Sequence, residues 1–119
     1  MTNQVAYTTS YNVTEVNNIA GSPSIQTGFG TSPTLTGANT KCFQVKIGSG
    51  GSTGGTITLP TAPNGWSAQA NNVSEANTVY LLQTAFTQNS VTLASFKNAD
   101  GTSATMNAGD ILLINCFSF

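Results

Sequence analysis

Four carboxylates stand in the 119-residue chain: Glu15, Glu75, Asp100 and Asp110. Two of them facing each other across a cleft would suit glycoside hydrolysis, one as acid and the other as base or nucleophile. Each sits beside Asn, Gly, Thr or Ser, in likeness to the turns and strand ends where acids are solvated or cap backbone groups. Asp100-Gly101 matches one step of a calcium loop, but the further acids at alternating positions are missing. The chain has no histidine. The usual general base, the usual metal ligand and the usual partner of a serine nucleophile are therefore absent. A non-enzymatic protein without cofactor or metal is expected.

Three other patterns invite a chemical reading. The glycine-rich run Gly48–Gly55 is followed by Thr56-Ile57-Thr58-Leu59, a strand pattern, whereas a phosphate cradle requires a helix N-terminus and Gly-Lys-Ser/Thr. It reads as a mobile strand-to-strand loop. Trp66 and Tyr80 are candidates for a ligand platform, since an aromatic ring beside Asn, Gln and Thr suits carbohydrate. Each also lies among apolar neighbours, so a core role is the competing reading. Cys42 and Cys116, 74 positions apart, are either buried thiols or one disulfide joining an early strand to the last. No CxxC occurs, so a zinc or redox motif is not supported.

Charge narrows the classes further. Only 6% of residues are charged, with three Lys, no Arg and a net charge of −1. A nucleic-acid face requires clustered cations, and so does a cationic membrane-surface helix. Neither nucleic acid nor membrane is an expected partner. Thr, Ser, Asn and Gln together number 50, and they take the place of a charged exterior. The start carries no positive charge and no apolar run, so no secretion signal is expected. The longest clean apolar run, Ile111–Ile114, is far short of the roughly 20 residues that span a bilayer.

The elements that would position these residues are strands. Phe43, Val45 and Ile47 alternate with polar residues, and Trp66, Ala68 and Ala70 point one way along another run. Residues 57–59, 78–84, 90–96 and 110–118 complete the strand candidates of the compact part. Asn98–Gly101 is a turn, and 21–40 reads as loop because of its Gly and Pro. Strands every 10–14 residues with turns between them predict an all-β sandwich or barrel. The last strand is apolar on both faces: Ile111, Leu113 and Phe117 on one, Leu112, Ile114 and Cys116 on the other. Such a strand requires cover on both sides. The cover is either a central place in a monomeric sandwich or a neighbouring subunit in a symmetric oligomer. Residues 1–25 read as a polar arm and 26–119 as the β-module. Val5, Tyr7, Tyr11, Val13 and Val16 are the arm's candidate partner contacts, too few to fold alone but suited to ordering on a neighbour.

Several stretches carry a family likeness. They are Gly28-Phe29-Gly30-Thr31-Ser32-Pro33-Thr34-Leu35-Thr36-Gly37, then Gly48-Ser49-Gly50, a strand ending at Pro60, Ala62-Pro63-Asn64-Gly65-Trp66, and Ala108-Gly109-Asp110 leading into the last strand. Over residues 26–119 the chain resembles a small β-module found at the C-terminal ends of bacteriophage tail fibres and other virion surface proteins. The resemblance implies an antiparallel jelly-roll-like sandwich, commonly trimeric, that binds without catalysis. Modules of this type often carry a cysteine soon after Gly-Trp; here Ser67, Ala68 and Gln69 stand there, which leaves Cys42 as the one conceivable partner of Cys116. No shaft or heptad repeat accompanies the module. The expectation is a trimeric capsid decoration protein, made in the host cytoplasm and mounted by its arm on the major capsid protein. The alternative is a tail-fibre tip that recognises host surface polysaccharide.

Overall fold

The computed structural model describes residues 21–119. The arm residues Val5, Tyr7, Tyr11, Val13 and Val16 lie outside them. Eight strands follow one another: β1 (Ser24–Gly28), β2 (Thr34–Thr36), β3 (Phe43–Lys46), β4 (Gly54–Thr58), β5 (Trp66–Asn72), β6 (Val79–Thr87), β7 (Ser90–Lys97) and β8 (Ile111–Ser118). They form two four-stranded antiparallel sheets, ordered β1-β4-β7-β6 and β2-β3-β8-β5. The fold is the all-β sandwich expected from the sequence. Only β2-β3 and β6-β7 are successive strands paired within a sheet; every other connection passes between the sheets.

The core lies between the sheets and follows the period of two. Phe43 and Val45 of β3, Trp66 and Ala68 of β5, Val91 and Leu93 of β7, and Leu112, Ile114 and Cys116 of β8 all point inward and are buried. Phe29, Met106 and Ala104 fill the core from loops.

Two sequence expectations are corrected. The span 21–40 contains β1 and β2, and β1 begins at Ser24, inside the span read as arm. Both strands are short and mostly solvent-facing, so no apolar alternation marks them. The glycine-rich run is also not a loose loop. Ser52 exchanges backbone hydrogen bonds with Met106, and Gly54 and Gly55 belong to β4 between β1 and β7. A Cβ on Gly54, at φ +140°, would stand 2.1 Å from the Leu93 carbonyl oxygen. A side chain there is impossible without moving β7. Glycine here permits close strand approach rather than mobility.

Candidate functional site

β5 and β6 are edge strands of opposite sheets, and an open cleft of about 610 Å³ lies along them. Its lining is Trp66, Ser67, Gln83, Thr84, Ala85, Phe86 and Phe119. The geometry starts with a β-bulge. The β6–β7 register shifts between Gln83 and Ala85, which puts one extra residue into β6. Phe86 thereby pairs with the buried Val91 and shares its face. β7 continues under the core there, whereas Phe86 reaches past it, over Gly65. A Cβ on Gly65 would stand 2.5 Å from the Phe86 ring, so only glycine admits the ring in this position. Phe119 meets Phe86 edge-to-face, with centroids 5.5 Å apart and planes at 62°. Both rings remain about half exposed, at 51% and 52%.

The floor of the cleft is fixed by hydrogen bonds. The Gln83 side chain crosses from β6 to β5: its Oε1 accepts from Ala68 N at 2.7 Å, and its Nε2 donates to the Trp66 carbonyl at 2.8 Å. It thus occupies two of the backbone groups that the edge of β5 would otherwise offer to another strand. Trp66 Nε1 donates to the carbonyls of Pro60 (2.9 Å) and Gln88 (3.0 Å). The Phe119 carbonyl accepts from Asn64 N and Gly65 N, and Phe119 N donates back to the Gly65 carbonyl.

The two aromatic candidates from the sequence are not brought together. Trp66 is fully buried and supplies the base of the cleft, with no ring face free to stack on a ligand. Tyr80 lies on the opposite, outward face of β6, between the buried Val79 and Leu81, and stacks on Phe96 at 5.7 Å. Gln83 and Phe86 were not legible as site residues, because the pattern of β6 breaks at the bulge, and Phe119 was not, because it follows the last strand. The run Thr87-Gln88-Asn89-Ser90, a polar turn just after an isolated Phe, is the one sequence signal for an aromatic at a hairpin end.

The cysteines are separate thiols. The β3–β8 ladder begins at Phe43, which pairs with Ile114, so Cys42 lies just outside it. Cys42 stands just before β3 and is exposed, while Cys116 lies on the core face of β8 and is fully buried. With one thiol exposed, the other buried and no bond between them, the disulfide reading is corrected. Burial pushes the Cys116 thiol up to about 12.

The carboxylates also depart from the solvated reading at one place. Asp110 is buried and accepts from the Asn72 amide and from Asn107 N, each at 3.0 Å. Glu75 lies against it: the Asn72 side-chain carbonyl receives Ser74 N and Glu75 N, which folds the β5–β6 loop onto the start of β8. A hydrogen bond to Asp110 holds Glu75 above the usual carboxylate range, with burial and the Asp110 charge acting in the same sense. Burial alone would raise Asp110, but hydrogen bonds from Glu75, Asn72 and Asn107 outweigh it and hold it low. Neither Glu75 nor Asp110 lines the cleft of Phe86 and Phe119. Asp100 only closes its own turn, through Thr102.

A second depression of about 330 Å³, bounded by Thr31, Ser32, Lys46 and Gly48, lies beside the β2–β3 edge. Among the described residues no group of three or more His, Cys, Asp or Glu side chains gathers, and no helix is long and apolar enough to cross a membrane. No family model, curated protein or solved structure matches the chain.

Proposed function

We propose that the chain is a non-enzymatic bacteriophage protein of the virion surface, a trimeric capsid decoration protein that stabilises the head. The observation that carries this reading is β8. Its inner face, with Leu112, Ile114 and Cys116, is fully buried, whereas Leu113 and Phe117 on its outer face are each 40% exposed. Ser67, Asn71 and Gln44 flank that ridge as neutral polar neighbours. A central strand whose outer face exposes two large apolar side chains, one on each side of Asn115, suits a subunit that meets a neighbour there. The almost uncharged exterior suits a passive outer coat. In this reading residues 1–25 dock on the lattice of the major capsid protein and the sandwich projects from it. Binding only the assembled shell adds free energy to the shell by mass action, about 2.7 kcal/mol per site at a hundredfold excess over Kd.

The test is to add purified chain to particles from which it has been removed. It should cosediment with the heads and raise the temperature at which they release DNA. A chain that stays in the supernatant contradicts the proposal. The cleft with Phe86 and Phe119 favours one second reading, a tail-fibre tip that binds host surface polysaccharide.

A further inference from the structure

We propose that the cleft between the edges of β5 and β6 is a binding site for a neutral saccharide, with Phe86 as its stacking platform. This deepens the second reading above and does not depend on where the chain sits on the particle. Phe86 and Phe119 stand half exposed at 62° to each other, so one ring presents a face beside the edge of the other. A sugar's apolar C–H face fits such a ring, and its hydroxyls require donors and acceptors at the rim. Ser67 and Thr84 supply exposed hydroxyls on the two sides of the cleft. The volume, about 610 Å³, falls within the range of small-molecule sites.

Two observations select this ligand class. No Lys or Arg lines the cleft, so an anionic ligand would find no cationic partner there. An extended peptide is disfavoured because the Gln83 amide already occupies Ala68 N and the Trp66 carbonyl, the backbone groups a strand would pair with. The rigid floor leaves little to be ordered on binding.

The test uses the full chain. An array of neutral and anionic bacterial surface oligosaccharides is screened, and each hit is titrated by calorimetry. A neutral oligosaccharide is expected to bind, and Phe86→Ala should weaken it roughly tenfold, the loss of one stacking partner. The paired change Ser67→Ala with Thr84→Ala should also weaken it, by deleting rim hydroxyls without touching the rings. Leu82→Ala, on the opposite face of β6 and 53% exposed, should bind as the wild type does. Thermal melts of every variant establish folding, and the hydroxyl pair decides the case if Phe86→Ala fails to fold. The inference is overturned if only anionic glycans bind, if the variants bind unchanged, or if an apolar peptide binds where no neutral glycan does. None of these outcomes bears on capsid decoration, which is read from the particles.

Discussion

Trp66 shows how one side chain's chemistry is decided by its partners. Its indole N–H is shared by two carbonyls and its ring is fully enclosed. Trp66→Phe should keep the packing and strand both acceptors, at a cost of about 1–3 kcal/mol in urea unfolding; an unchanged midpoint would contradict this assignment. The carboxyl pair makes a signed claim about pH. The raised Glu75 contributes stability that is fully present below its unfolded value, 4.5, and is lost as pH rises through its folded value. The depressed Asp110 contributes stability present above 3.8 and lost as pH falls through its folded value. Stability should therefore peak in the acid window between the two folded values. Glu75→Gln keeps a donor for Asp110 and removes the titration, so its stability should no longer fall on the alkaline side of that window. Identical pH profiles for the variant and the wild type would contradict the raised titration of Glu75. For the thiols, an alkylating reagent should label Cys42 in the native protein and Cys116 only after unfolding. A mass two hydrogens short under non-reducing conditions would restore the disulfide.

At the scale of strands, Gln83 joins the two edges that would otherwise be open. Gln83→Ala should cost about 1–3 kcal/mol, because Ala68 N and the Trp66 carbonyl lose their partners. The outer ridge of β8 carries the oligomer claim: Leu113→Gln with Phe117→Gln should dissociate the trimer and leave the thermal unfolding cooperative. A trimer that survives both changes places the interface elsewhere. The strands with a buried face were legible in the sequence, since β3, β5, β7 and β8 each alternate inward apolar with outward residues. Even the two apolar faces of β8 were legible by position. β1 and β2 were not, because each is short and packs only one half-buried apolar side chain, Ile25 or Leu35, against the core. The cleft was hidden for a different reason. It depends on a bulge, and one inserted residue sends every later side chain to the other face. The glycines told only half their story: sequence marks a Gly as permissive, and only the packed sheet shows that Gly54 and Gly65 are places where backbone or ring comes too close for a Cβ.

For the whole molecule, a closed sandwich core, a central strand with exposed Leu113 and Phe117 and a nearly uncharged exterior fit the proposed subunit that functions by assembly. Light scattering should give threefold the 12.2 kDa chain mass. Removal of residues 1–20 should leave the sandwich folded and abolish attachment to heads; truncated chain still found on heads would show that the arm is not the anchor. The most direct measurement is immunogold labelling of purified virions with an antibody to the chain. Label distributed over the head is the expected result. Label confined to the tail tip would contradict decoration in favour of receptor binding, and bare particles would contradict a place on the virion altogether.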